Sequence, residues 1–365
     1  MKVCEIVKVL ETVAPLSLAA EWDNVGLLAG DGESGVKKLL LCIDLTEQVL
    51  SEALKAGADM VMAYHPLIFK NVSRVTAESS PVLHAALRQG LAVHSLHTAL
   101  DAAPGGVNDV LADVLGLLDR RTLEPSVDRS QCKIVTFVPA DDLSRVAEAA
   151  FSAGAGRVGE YFDCAFFGHG VGAFCALPGT HPKVGRAGRH EATEEMRLEI
   201  VAPRSKASGV CAAIRSAHGY EEPVVEMYPI ETYPAACGMG RVGRLAKPLG
   251  VDALVAKIKK ATGLSRLMLA KSPVKEKVRV AACCGGSCGD LFHDAIACGA
   301  TFYLTGEMRH HDALAAVAAG MTVACLGHSN SERIALTHLA DRLGKALPKL
   351  RVMLSRYDKD PFEIV

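Results

Sequence analysis

Histidines and carboxylates gather in this chain where apolar, strand-like runs stop. "DMVMAYHPLIFK" (59–70) carries an apolar run as far as Tyr64 and His65 and is halted by Pro66. "LAVHSLH" ends on His97, and "HTALDAAPGGVND" places Asp101 just beyond it. "TFYLTGEMRHHD" brings Glu307, His310 and His311; "MTVACLGHSNSE" brings His328 and, four residues on, Glu332. In an α/β sheet, ligands sit beyond the carboxyl ends of the strands. A helix starting at His328 would set it and Glu332 on one face. Imidazole nitrogen with carboxylate oxygen, and no thiolate, is a donor set for Zn, Mn, Fe or Ni. A carboxylate bridging two such ions would activate water and clamp a reacting oxygen. The competing reading is that each histidine merely caps a strand or helix; four such ends on the expected edge weigh against it. Pro66 restricts His65 to an extended backbone and so fixes its direction toward the sheet rim.

Two other motifs carry less. "GMGRVG" (238–243) matches the spacing of a dinucleotide-binding loop, but a strand must precede it and a helix must follow directly. Here "YPAAC" precedes and "RLAKPLG" follows, so it reads as a flexible re-entry loop. In "CCGGSCGD" (283–290) a nucleophilic Cys284 or Cys288 is disfavoured, because the segment lacks a following aromatic and lies in a late strand–loop–helix turn. The better reading is a glycine-rich turn whose N–H groups and following helix N-terminus hold an anion, with "APGG" (103–106) of the same character.

The elements that must position these residues alternate. From residue 36, "VKKLLLCIDLT", "DMVMAYH" and "LAVHSLH" read as strands, separated by the helices "EQVLSEALKAG" and "SSPVLHAALRQG". That alternation predicts a largely parallel sheet covered on both faces. The pattern breaks at the charged, loop-like "DRRTLEPSVDRSQ", and a β-α-β-β-α-β order follows, that of a ferredoxin-like unit. After "ETYPAACGMGRVGRL" the first style returns and runs to the long helix "SNSERIALTHLADRLGKAL". The expected organisation is one α/β domain in two pseudo-repeated halves, 1–125 and 240–365, interrupted by an inserted α+β domain at 130–232.

With 365 residues the chain is too long for one ordinary core. Half the residues are apolar and the net charge is −1, a soluble globular composition with no basic stripe for nucleic acid or a membrane surface. No apolar run reaches the roughly 18 residues of a membrane span. The start, with Glu5 and Glu11 inside its apolar pattern, reads as an amphipathic helix rather than a signal peptide. The twelve cysteines are scattered, several in strand-like runs (Cys42, Cys325), as suits reduced thiols in a cytoplasmic protein.

Taken together, "EWDNVGLLAG", "YHPLIF", "HTALDAAPGGVND", "CGGSCGD", "YLTGEMRHHDA" and "GHSNSE" resemble, in order, the Nif-three-like proteins, often labelled GTP cyclohydrolase I type 2 homologues. The inserted segment is similar to the PII- or CutA-like domain of longer bacterial members, marked by "GAGRVGEY", "HPKVG" and "HGYEEPVVEMYPI". The resemblance implies a toroidal homo-hexamer with a dinuclear divalent-metal centre in each subunit facing an internal cavity. It implies metal ligands at His65, Asp101, His328 and Glu332, with His97 and His311 close by as proton donors and acceptors. Many members have a second histidine where this chain has Tyr64, so one or two ions per subunit are expected, of Zn, Mn, Fe or Ni. The activity implied is that of a metal-dependent, cyclohydrolase-like hydrolase acting on a nucleotide or phosphate-bearing small molecule. The alternative is a non-catalytic metal-binding or regulatory scaffold that uses the insert for assembly or small-ligand sensing. His169, His181 and His190 in the insert read as surface histidines.

Overall fold

The computed structural model describes residues 1–234, 236–287 and 289–362. Cys288, one of the two cysteines weighed above, lies outside the described residues. The chain divides into two compact units, one of residues 1–126 with 233–365 and one of residues 127–232.

The first half of unit one runs α1 (Val3–Val13), β1 (Gly26–Ala29), β2 (Lys38–Cys42), α2 (Glu47–Ala56), β3 (Met60–Ala63), α3 (Pro81–Arg88) and β4 (Ala92–Ser95). Then come α4 (His97–Ala102), α5 (Val107–Leu115), β5 (Leu117–Arg121) and β6 (Glu124–Pro125). Local chemistry sets the ends. Thr46 caps α2 by accepting from the Val49 N–H, and Gly57 closes it in the left-handed conformation. Every residue of β3, "MVMA", is buried, as expected of a strand covered on both faces.

Unit two contains β7 (Gln131–Val138), α6 (Leu143–Ser152), β8 (Ala165–Cys175), β9 (His190–Pro203), α7 (Ala207–Ala217) and β10 (Val225–Pro229). Its antiparallel sheet has the order β10-β7-β9-β8. One face packs against α6 and α7 through Ile134, Val146, Leu198, Ile200, Val210 and Ile214. The other face carries an ion-pair stripe of Lys133, Glu199 and Arg197, with Arg197 lying over the Phe137 ring.

Unit one resumes with β11 (Gly238–Met239), β12 (Arg241–Leu249), α8 (Val251–Thr262), β13 (Met268–Ala270), β14 (Val278–Ser287) and α9 (Leu291–Ala297). It ends with β15 (Phe302–Glu307), α10 (His310–Ala318), β16 (Thr322–Cys325), α11 (His328–Ala346) and β17 (Arg351–Leu354). Two large sheets result, β1-β4-β3-β2-β17 and β13-β16-β15-β14-β12-β5, with a two-stranded ribbon of β11 and β6 beside them. In each half three parallel strands, β2-β3-β4 and β14-β15-β16, are flanked by an antiparallel edge strand, β1 or β13. The halves are therefore a structural repeat. They also trade strands: β5 of the first half pairs with β12 in the second sheet, and β17 of the second half pairs with β2 in the first. One core, with Leu39, Met62 and Leu111 from the first half and Leu304, Leu336 and Leu343 from the second, holds them together.

Two stretches differ from the sequence expectation. The stretch from Asp119, expected as loop, supplies most of β5 and all of β6; only Leu117 of β5 is buried and the exposed remainder, Leu118 to Arg121, is mostly charged edge strand, so no apolar alternation marks it. The expected re-entry loop, 238–243, supplies β11 and then runs into strand β12. That strand opens on buried Arg241, whose guanidinium donates to Asp109 and to the carbonyls of Ala236, Gly238 and Gly240. Pro248 is tolerated because pairing with β14 is interrupted between Arg244 and Leu249. Among the described residues no helix is long and apolar enough to cross a membrane.

Candidate metal centre

The candidate residues enter one cleft from the ends of three strands. Beyond β3, the N–H groups of Tyr64 and His65 still bond to the carbonyls of Cys42 and Ile43, at 2.8 and 2.9 Å, so His65 is held as rigidly as a strand residue. Beyond β4 the chain turns at His97, whose φ of +29° is unusual for a non-glycine residue, and α4 then carries Asp101 to a buried position. Beyond β16, Gly327, with a φ of +92°, turns the chain into α11, which opens on His328 and buries Glu332 one turn later.

Glu332 lies between the two imidazoles. His65 Nε2 is 3.3 Å from its Oε2 and His328 Nε2 is 3.3 Å from its Oε1. One ligand atom from each of the three residues falls within 4.8 Å of the others. The remaining ring nitrogens are spoken for: His65 Nδ1 donates to Asp44 Oδ1 at 2.9 Å, and His328 Nδ1 to Glu307 Oε1 at 3.1 Å. A carboxylate can only accept here, so both rings carry the proton on Nδ1 and turn Nε2 toward Glu332. Glu332 Oε2 is buried and receives no hydrogen bond, which is costly for a carboxylate oxygen. Two orientated imidazole nitrogens beside a buried carboxylate fit a divalent cation. Burial disfavours charge on His65, but the carboxylates of Asp44 and Glu332 outweigh it and raise its pKa to about 10. A cation at this point would take the place of that proton.

The rest of the cleft is built around Asp101 and His97. Tyr64 is fully buried and its hydroxyl donates to Asp101 Oδ1. Burial, then the charge of Glu332, pushes the Asp101 carboxyl up to about 7. His97 Nδ1 donates to Asp23 Oδ1 at 2.8 Å, while Asp23 Oδ2 accepts from the backbone and hydroxyl of Thr98. Burial works against the charge on Asp23, but these hydrogen bonds outweigh it and lower its pKa. The cavity, about 480 Å³, is lined by His65, His97, Asp101, His328 and Glu332, with Trp22 and Phe69 at its rim. His311, expected close to the ligands, instead stands exposed at the start of α10 against His310 and does not line the cavity.

The orienting carboxylates Asp23, Asp44 and Glu307 were not singled out for that role in the sequence. Asp44 carries the clearest signal, since it follows β2 at the same edge as His65. The glycine turns also differ from expectation. The N–H groups of Gly285 and Gly286 donate to Asn108 Oδ1 and Ser331 Oγ, and those of Gly105 and Gly106 to Asp109 Oδ2 and the Ala103 carbonyl. A Cβ on Gly286 would meet Glu332 Oε1 at 2.6 Å. These glycines make room for side chains already in place and do not present free donors to an anion.

Known proteins share this architecture throughout. The chain is 32% identical over 366 residues to a "GTP cyclohydrolase 1 type 2 homolog" of Halalkalibacterium halodurans, covering 99% of this chain and 98% of that one. A Bacillus subtilis protein of the same name is 33% identical over 326 residues, covering 89% of this chain and 87% of its own. A crystal structure of a Bacillus cereus protein related to NIF3 superposes with a TM-score of 0.73 at 30% identity, covering 100% of this chain and 99% of that one. A Staphylococcus aureus protein superposes with a TM-score of 0.81 at 25% identity over 100% of this chain and 99% of its own. Residues 1–361 match the profile of the Duf34/NIF3 (NGG1p interacting factor 3) family, and the chain belongs to it.

Proposed function

We propose that unit one is a divalent-metal-dependent hydrolase of small molecules. The observation that carries the reading is the convergence of His65 Nε2, His328 Nε2 and Glu332, each imidazole orientated by a carboxylate on its far side. A divalent cation bound there supplies a Lewis acid and lowers the pKa of a coordinated water toward neutrality. Asp44 and Glu307 keep the two Nε2 lone pairs aimed inward. His97, its Nδ1 proton held by Asp23, offers Nε2 to the cleft as the base that takes a proton from water and returns it to a leaving group. Since His311 lies outside the lining, proton transfer falls to His97.

The substrate class proposed is a nucleotide or phosphate-bearing small molecule. Its support is the activity in the relatives' printed name and the aromatic rim, where exposed Trp22 and Phe69, packed edge-to-face with ring centres 5.9 Å apart, give apolar surface for a base. The N–H groups of Gly105, Gly106, Gly285 and Gly286 lend no support, being spent within the protein. The same proposal takes residues 130–232 as an inserted ferredoxin-like domain, supported by the β-α-β-β-α-β order and the strand order of its sheet. It includes a homo-hexamer, for which exposed Tyr161, Phe162 and Phe166 on that domain give apolar surface.

A second reading, the regulatory scaffold, is favoured by a cleft of about 320 Å³ on unit two, lined by Phe137, Phe174, Tyr220 and Glu195. Turnover separates the two. Protein loaded with zinc or manganese should be assayed against nucleoside triphosphates and phosphomonoesters beside Glu332→Gln, which is expected to lose metal-dependent turnover by at least ~100-fold. Wild-type protein that keeps its ion yet turns over none of them would leave the scaffold reading in place of the hydrolase.

A further inference from the structure

We infer that Tyr64 limits this chain to one tightly held divalent cation; the inference rests on His65, His328 and Glu332 as its ligands. Two ions in one site stand roughly 3.5–4 Å apart, and each needs end ligands beyond any bridging carboxylate. Among the described residues, the only group of three or more His, Cys, Asp or Glu side chains with ligand atoms within 4.8 Å of one another is His65, His328 and Glu332. Beyond these three, the cleft offers a second ion only His97 Nε2 and Asp101, and at Asp101 Tyr64 intervenes.

The geometry is specific. Tyr64 is fully buried, with its ring 5.1 Å from that of His65 and edge-on to His97 at 5.5 Å. Its hydroxyl donates to Asp101 Oδ1, so one of the two carboxylate oxygens is already engaged. On the main chain, Tyr64 N donates to the Cys42 carbonyl, and the Tyr64 carbonyl accepts from Ser95 Oγ and His97 N, so the ring has little freedom to swing aside. Asp101 is fixed too, its carbonyl accepting from Asn108 Nδ2 at 3.0 Å. A protonated phenol brings no strong donor atom to a hard or borderline cation, whereas imidazole does. A histidine at position 64 would add a nitrogen ligand and release Asp101 Oδ1 together.

The count of ions tests this directly. Chelated wild-type protein, reloaded with excess zinc and freed of unbound metal by gel filtration, should retain about one zinc per chain, and Tyr64→His about two. About two in the wild type would overturn the inference while leaving the metal centre standing. About one in a folded Tyr64→His would show that Tyr64 is not what sets the number. No zinc in the wild type would overturn the ligand reading beneath it. Because a buried substitution can fail to fold, the ultraviolet difference spectrum of the wild type on adding zinc is the second measurement. No tyrosinate band is expected, and a band present in the wild type but absent from Tyr64→Phe would place the Tyr64 oxygen on the metal and overturn the inference.

Discussion

A buried histidine costs little while it stays neutral, and His94 makes that visible. It sits in β4, fully buried, and neither ring nitrogen has a hydrogen-bond partner among the described residues. Burial depresses its pKa to about 4. As pH falls from 6.5 toward 4, the unfolded chain takes up a proton that the folded chain refuses. Stability therefore falls through that window and levels off below it. The gap is worth roughly 2 kcal/mol at pH 5 by the free energy of one pKa unit. Replacing it removes two orphaned nitrogens as well. In urea unfolding, His94→Leu should gain stability relative to wild type, and the gain should be larger at pH 5 than at pH 7. A gain independent of pH would show that His94 charges freely in the fold. His94 also shows what residue types alone reveal. It stands three residues before His97, in the same apolar run, and only burial and partners separate a core histidine from one orientated by Asp23. The strand-end rule brings His65, His97 and His328 to one cleft because position along a strand is local information; the pairing of Asp23, Asp44 and Glu307 with them is not local and leaves no such mark.

At the scale of elements, the cleft depends on turns as much as on strands. Gly286 follows Cys284 near the end of β14 in the left-handed region, with a φ of +64°, and its missing Cβ leaves space for Glu332 Oε1. Gly289 also has a positive φ, +49°, but nothing lies within 4 Å of where its Cβ would be. Both alanine variants carry backbone strain of order 1 kcal/mol. Only Gly286→Ala also displaces a ligand, so it should weaken zinc binding by ~10-fold or more in a competition titration with a chelating dye, while Gly289→Ala binds as wild type. Equal zinc affinity in the two variants would mean that Glu332 can move without cost. The parallel strands β2, β3, β14, β15 and β16 were legible because burial on both faces writes a continuous apolar run. The edge strands β5 and β17 were not, since they are short, partly exposed and defined by partners far away in the chain. The glycine turns were misread for a related reason: sequence shows that an N–H is available to bend toward a ligand, not that Asn108 or Ser331 has already claimed it.

For the whole molecule, the exchange of β5 and β17 between the two halves explains why a chain interrupted by some hundred residues can still build one core. Every ligand proposed, and every carboxylate that orients one, belongs to residues 1–126 or 233–365. Unit two has its own core around Ile134, Leu198 and Ile214, and its two ends are bonded to each other, the N–H of Asp128 to the carbonyl of Thr232 at 2.8 Å and the reverse at 3.0 Å. In unit one the flanking backbone is joined in the same way, Ser126 N donating to the Cys237 carbonyl at 3.0 Å. With its ends adjacent in this way, unit two can be removed without stretching unit one. Replacing residues 127–232 with a short glycine–serine linker should therefore leave a folded protein that binds zinc with the affinity of the full chain, while any assembly or ligand response owed to the insert disappears. Zinc titration beside sedimentation analysis reads both. Retained metal with loss of any self-association seen in the full chain would divide the labour between the units, and loss of metal from a folded deletion variant would mean that the centre needs unit two after all.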